Sequence, residues 1–459
     1  MTLVLGLLFL GRESVWLDEA FSVAAARLPW GELIALIGDS QANMSLYYVL
    51  LHAWLAVGES EFAVRALSVL FAAAAAPTLY LLVRRLFDTR TAVVAAVLLA
   101  VNAYFLRYAQ EARGYALLVF LVVLASYLLV VAIDGGTRTA AAGYVVVAAL
   151  ATYVHVFAGF VVIAHVIALA SSRRDVSRRW LLGVLGFWGL LVAPLALVLL
   201  RQDSGQIDWI TTPGPTDVVA ALAKLAGGPF SAIAYLFLCG AAIAGIRRSV
   251  AKYGRWPLTL VAAWLATPLL LSLAASAVKP IFLAVYLIVS LPALVTLASL
   301  GFASLPRGRT ALAAGAVALA LFTVDVARGY DAENESWRSA TSHVLAAAQP
   351  GDRIAFYAPY TRIPFEYYRR QAAAPAISPS PVYPSADWGR LELAAEKLAG
   401  SPRAAAGAAG GGARVWVVVS HAEDAEIAEL VRALEPGGRL LSVRSFTGIH
   451  VRLYSASGS

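Results

Sequence analysis

Over its first 330 residues the chain alternates long apolar runs with short charged breaks; beyond them the runs shorten to strand length. A helix needs about 20 apolar residues to cross the hydrocarbon core of a membrane. Residues 1–10 (MTLVLGLLFL) fall short of that, so the first helix either begins upstream of Met1 or starts abnormally close to its outer end. The run lacks the basic start and small-residue cleavage site of a signal peptide. Residues 12–44 mix Arg12, Glu13, Asp18, Glu19, Arg27, Glu32 and Asp39 with apolar residues at helical spacing, which predicts a loop carrying amphipathic surface helices. Residues 45–57 (SLYYVLLHAWLAV) predict a re-entrant or interfacial helix, so this outer loop extends over 12–60. Crossings are expected at 62–83, 91–107, 114–133, 139–155, 156–171, 180–200, 231–246, 257–278, 281–301 and 310–328, which with the first run makes about eleven.

From about residue 331 charge rises and prolines appear. Helices are expected at 335–348, 362–370 and 424–434, and strands at 353–357, 415–420, 440–444 and 450–454, an alternation that favours a small α/β layer structure. The stretch 399–412 (AGSPRAAAGAAGGG) reads as a flexible loop. The predicted fold is therefore a mainly α, polytopic membrane helical bundle over 1–330, followed by an extracytoplasmic α/β domain over 331–459.

Composition agrees, with 60% hydrophobic and 14% charged residues against about a quarter charged in soluble domains. The net charge of +8 reflects arginines retained on the cytoplasmic side rather than a nucleic-acid partner. Alternate connections hold Arg84, Arg85 and Arg90; Arg138; Arg173, Arg174, Arg178 and Arg179; Arg247, Arg248, Lys252 and Arg255; and Arg307 and Arg309. With these inside, the N-terminus is cytoplasmic, and the acidic loop, the turn 107–113, His155, the loop 201–230, Lys279 and the C-terminal domain share the outer face. The expected location is a plasma (inner) membrane. Cys239, alone in an apolar run, reads as a buried small residue.

Polar chemistry at the edge of a membrane segment marks a functional site. Asp18 and Glu19, beside Trp16, stand first; neighbours on a helix diverge by about 100°, so one acts and the other supports. The competing reading makes both solvated residues of an ordinary loop. Arg107, Glu111 and Arg113 lie at the outer lip of the next crossing pair; Arg107 and Glu111 are spaced for an ion pair, which leaves the Arg113 guanidinium for phosphate oxygens. Tyr48 and His52 read as interfacial anchors, and His155 as a hydrogen-bonded core histidine. HExxH, CxxC, Walker and strand-following GxGxxG patterns are absent, so metalloprotease, redox, P-loop and dinucleotide chemistry have no support.

Trp16-Leu17-Asp18-Glu19-Ala20, Leu46-Tyr47-Tyr48 with Leu51-His52, Tyr108-Ala109-Gln110-Glu111-Ala112-Arg113, Tyr153-x-His155-x-Phe157, Asp208-Trp209-Ile210, and Trp337 with Pro350-Gly351-Asp352 together resemble the bacterial membrane glycosyltransferases of the protein O-mannosyltransferase-like kind, glycosyltransferase family 39 with the GT-C fold. The resemblance implies an inverting transfer of a sugar, commonly mannose, from a polyprenyl-phosphate donor to an acceptor at the outer face. It makes Asp18 the base and Arg113 a phosphate contact, with Glu19, Tyr47, Tyr48, His52, Gln110, Glu111, His155, Trp209 and Lys279 shaping the substrate site. Such enzymes include metal-dependent and metal-independent members, so no cofactor is certain and a divalent metal is compatible with the Asp-Glu pair. Two departures stand out: Asn43-Met44-Ser45 replaces His-Pro-Pro, and Ala284-Val285-Tyr286 lacks an arginine before the tyrosine, for which Lys279 is the substitute. A multi-span transporter or lipid flippase is the alternative, although such proteins place their sites near the midplane.

Overall fold

The computed structural model describes residues 1–171, 176–202, 207–306, 308–331, 334–372, 377–384, 401–409, 414–434 and 438–455. The chain divides into two compact units, one formed by Met1–Leu8, Ala35–Leu50 and Arg65–Asp331, the other by Phe9–Ile34, Leu51–Val64 and Ala332–Ser459.

The regular structure of the first unit is helical among the described residues. Among the described residues six helices are long and apolar enough to cross a membrane: Glu61–Leu86 (α5), Tyr115–Gly135 (α8), Arg178–Arg201 (α11), Arg255–Ser276 (α15), Ala284–Ser304 (a 3-10 turn leading into α16), and Arg309–Tyr330 (α17). Two bent pairs raise this to eight: Thr89–Ala100 (α6) with Ala103–Ala109 (α7) at 59°, and Pro215–Leu225 (α12) with Pro229–Ala244 (α13) at 87°. Arg138–Val154 (α9) and Ala158–Ser171 (α10) are shorter and apolar. Every run expected to cross is helical, whereas the first run forms only a six-residue helix, Thr2–Leu7 (α1).

Both bends have causes in single residues. Asn102 ends α6 and caps α7, its Oδ1 accepting from Phe105 N at 2.9 Å while Nδ2 donates to Leu225 O at 3.1 Å. At the second, Gly228 (φ +139°) sits where a Cβ would lie 2.5 Å from the Asp325 Cγ. That buried carboxylate, carried on α17, accepts from Ser231 N at 2.6 Å and satisfies an otherwise orphaned donor in the first turn of α13.

Asp88, between α5 and α6, accepts from Thr91 N at 2.9 Å and from Lys252 Nζ at 2.8 Å, and takes the Tyr253 hydroxyl at 2.5 Å. Burial pushes its acidity toward the neutral form, but Lys252, the Thr91 amide and Tyr253 outweigh it and hold the carboxyl well below the usual range. Asp88→Ala removes a helix cap and these three partners, and is expected to cost about 1–2 kcal/mol, read as a lowered unfolding midpoint.

The second unit contains Leu17–Ala26 (α2), Ser45–Trp54 (α4) from Leu51 onward, Trp337–Ala347 (α18), Arg362–Gln371 (α19), and a five-stranded sheet. The strands are Arg353–Tyr357 (β1), Ser380–Tyr383 (β2), Val415–Val419 (β3), Leu440–Phe446 (β4) and Ile449–Tyr454 (β5), in the order β2-β1-β3-β5-β4. β1 is parallel to β2 and β3, with Arg353 opposite Val415, and β5 is antiparallel to β3 and β4. β3 is buried along its whole length, which is why it reads as a continuous apolar run. Pro350-Gly351-Asp352 serves this sheet: Asp352 is buried and accepts from Trp416 Nε1 at 2.8 Å. One expectation is corrected. Within the Gly/Ala stretch, Pro402–Ala409 is a helix whose Ala405 and Ala406 pack into the core, because alanine carries the strongest helix propensity; residues 399, 400 and 410–412 of that stretch lie outside the described ones.

Candidate active site

Asp18 lies in the first turn of α2, where the helix dipole favours a carboxylate. Its neighbour Glu19 is fully buried and turns back to accept from Trp16 N at 3.4 Å, a capping contact that closes the helix start. Glu19 is enclosed, while Asp18 is only partly buried. The Trp16 indole N–H is buried and has no hydrogen-bond partner among the described residues, leaving a donor two positions before Asp18. His52 donates from Nδ1 to Ala26 O at 2.8 Å and packs against Trp30 with ring centroids 4.0 Å apart, so it anchors the far end of α2.

His421 follows β3 with φ +55°, and its Nε2 meets Glu335 Oε1 at 2.6 Å. The Glu335 contact raises the imidazole's affinity for a proton, burial opposes this, and the charges of Glu335 and Asp18 add to it. A raised folded value means that the pair stabilises fully below the ordinary histidine range near pH 6.5 and that this contribution is lost as pH rises through the raised value. Thermal unfolding across pH 5–9 is expected to show that loss, and Glu335→Gln is expected to flatten it.

In the first unit, Asn43-Met44-Ser45 straps α4 to the end of α9. Met44 N donates to Val154 O at 3.0 Å, Ser45 Oγ to Tyr153 O at 3.1 Å, and Val156 N to Asn43 Oδ1 at 3.2 Å. Tyr47 is fully buried, its hydroxyl 3.0 Å from Ser68 Oγ, which donates to Arg113 O at 3.2 Å. Gly114 admits this packing: a Cβ there would lie 2.9 Å from Val154 Cγ1 and 3.3 Å from Tyr47 Cβ. Tyr48 is buried with its hydroxyl 3.5 Å from Gln41 Oε1.

The Arg113 guanidinium lies 5.8 Å from the Tyr115 ring centre and within electrostatic reach of His155. His155 is buried; Phe157 N donates to its Nδ1 at 3.2 Å, which places the ring hydrogen on Nε2. That Nε2–H has no hydrogen-bond partner among the described residues, and the Tyr286 ring sits 4.5 Å away, centre to centre. A buried donor beside a cation is suited to an anionic oxygen.

Other expected residues are engaged locally. Gln110 Nε2 donates to Gly6 O at 3.0 Å and Leu8 O at 2.7 Å, satisfying carbonyls at the end of α1. Buried Glu111 receives Arg107 Nε at 3.3 Å, the i,i+4 ion pair anticipated from spacing. Lys279 Nζ meets Asp208 Oδ1 at 3.2 Å, an exposed pairing worth so little that its charge stays available to an anion; Trp209 beside it is largely exposed. Among the described residues no group of three or more His, Cys, Asp or Glu is gathered that could hold a metal ion. Sequence reasoning missed Ser68, an ordinary serine within an apolar run, and passed over Tyr286 as contact of His155.

Over 98% of its length the chain superimposes on ArnT from Cupriavidus metallidurans in the apo state, covering 96% of that protein with a TM-score of 0.65 at 12% identity. The fold is GT-C. The same protein bound to undecaprenyl phosphate matches with a TM-score of 0.66 at 13% identity, covering 99% of this chain and 97% of that one. The oligosaccharyltransferase AglB from Archaeoglobus fulgidus, in complex with an inhibitory peptide and a dolichol-phosphate, matches with a TM-score of 0.53 at 12% identity, covering 99% of this chain and 74% of that one. Residues 43–198 match the family model of dolichyl-phosphate-mannose-protein mannosyltransferases. No curated protein sequence matches the chain. The GT-C chain is thus a multi-pass membrane protein with a small C-terminal sheet.

Proposed function

We propose that this GT-C chain is an inverting glycosyltransferase that moves a sugar, mannose, from a polyprenyl-phosphate donor to an acceptor at the outer face of the plasma membrane. The observation that carries the reading is the full-length match to a fold whose solved example holds undecaprenyl phosphate. Asp18 takes the proton from the acceptor hydroxyl as its oxygen forms a bond to the anomeric carbon from the opposite side. The bond from that carbon to the phosphate oxygen breaks, and polyprenyl phosphate departs with the electron pair. Phosphate is already a good leaving group, so charge stabilisation suffices and no general acid is required. Arg113, His155 Nε2–H and Lys279 are the groups suited to that charge; Glu19, Tyr47, Tyr48, His52, Gln110, Glu111 and Trp209 shape or support the site. The arginine pattern supports a cytoplasmic N-terminus and an outer placement of residues 331–459.

The test is transfer by membranes holding the chain, supplied with radiolabelled polyprenyl-phosphate-mannose and then with other polyprenyl-phosphate hexoses and pentoses. Labelled product and free polyprenyl phosphate from mannose donor alone support the reading in full. Use of a different sugar overturns mannose but keeps the class, and consumption of none overturns the class.

A further inference from the structure

We propose that Arg338 is a positioning residue for Asp18: from the first turn of α18 it grips the irregular segment that leads into α2 and so fixes the direction in which the Asp18 carboxylate points. The proposal rests on the reading of Asp18 as the base. Arg338 is a cation at a helix start, where the dipole favours anions, and no acidic residue shares that turn. Its contacts account for the placement.

Nε donates to Glu61 Oε1 at 2.8 Å and Nη2 to the same oxygen at 2.6 Å. Nη2 also donates to Gly11 O at 3.0 Å and Glu13 O at 3.3 Å, Nη1 to Arg12 O at 3.1 Å, and the Arg338 amide to Ser14 Oγ at 3.3 Å. From α19, the Tyr368 hydroxyl accepts from Val15 N at 2.6 Å and donates to Glu61 Oε1 at 2.8 Å. Asn334 N reaches Glu13 Oε2 at 3.3 Å. Residues 11–16 form neither helix nor strand, so their backbone has no ladder of its own, yet each residue from Gly11 to Val15 is held by Arg338 or Tyr368. Val15 is fully buried and lies three positions before Asp18. Only a guanidinium has the planar fork of five donors that this set of carbonyls and one carboxylate uses; a lysine brings the charge without the fork.

A misplacement of about 1 Å can cost roughly a hundredfold in rate. The full-length chain in lipid nanodiscs, as wild type, Arg338→Lys and Tyr368→Phe, is read by hydrogen exchange and by steady-state transfer. Both variants are expected to exchange the amides of residues 11–16 at least about tenfold faster, with β1 and β3 unchanged, and to lower kcat by about ten- to a hundredfold with donor KM held within about twofold. In an Asp18→Asn background, Arg338→Lys is expected to add no further loss. Unchanged exchange at 11–16, faster exchange spread equally over β1 and β3, or a loss that multiplies with Asp18→Asn would each overturn the proposal. Wild-type transfer by Asp18→Asn alone would sink the base assignment itself, an outcome separate from the exchange result, and Arg338 as its positioning residue would fall with it.

Discussion

Asp18→Asn is expected to lower sugar transfer by at least about a hundredfold while leaving expression, unfolding midpoint and donor KM near wild type. The amide keeps the shape of the carboxylate and loses its capacity to take a proton. The helix start should survive the change, because the capping contact to Trp16 N comes from Glu19 and not from Asp18. The Ser22 hydroxyl donates to the Asp18 backbone carbonyl at 2.9 Å, a contact the substitution does not touch. Glu19→Gln is the matched control: a fully buried group at the same helix start, whose neutral form keeps an oxygen for the same amide. It should reduce stability more than rate. Equal transfer by Asp18→Asn and wild type would remove Asp18 from the chemistry.

Arg113→Gln is expected to act on the other half of the reaction. A hydrogen bond to a charged group is worth about 1.5–3 kcal/mol, so loss of one contact to the donor phosphate should lower kcat/KM by about 10- to 150-fold. The contact from Ser68 Oγ to the Arg113 backbone carbonyl is untouched by the substitution, and an unfolding midpoint measured beside the rate separates a loss of function from a loss of fold. Arg113→Lys should recover part of the loss, a point charge replacing a fork. Release of polyprenyl phosphate measured with short-chain polyprenyl-phosphate sugars separates the two substitutions, since Asp18→Asn changes kcat and Arg113→Gln also raises donor KM.

Much of this was legible before any coordinates. The long apolar helices were legible from hydropathy, though only six to eight of the roughly eleven expected crossings are long and apolar enough among the described residues, and the i,i+4 pairing of Arg107 with Glu111 follows from helix geometry alone. What the sequence conceals is long-range and polar. Tyr47 finds Ser68, and Ser68 finds the Arg113 carbonyl, through positions with no periodic signature. Gln110, expected to shape the substrate site, donates to the carbonyls of Gly6 and Leu8, a pairing no local pattern announces. The alanines at 402–409 were misread because glycines on either side dominated the composition, whereas helix propensity acts residue by residue.

The hydrogen bond between Val15 and Tyr368 joins residues 353 positions apart. A ribosome adding about 5–20 residues per second needs roughly 20–70 s to travel that distance. The segment bearing Asp18 therefore leaves the ribosome early and waits, without its anchoring partners, until nearly the entire membrane portion has been made. A later segment completes an earlier one. A nascent chain clipped ahead of Arg338 would carry the long apolar helices described above and lack the contacts that hold residues 11–15, so on the reading proposed here Asp18 is set in place only after Tyr368 has been made.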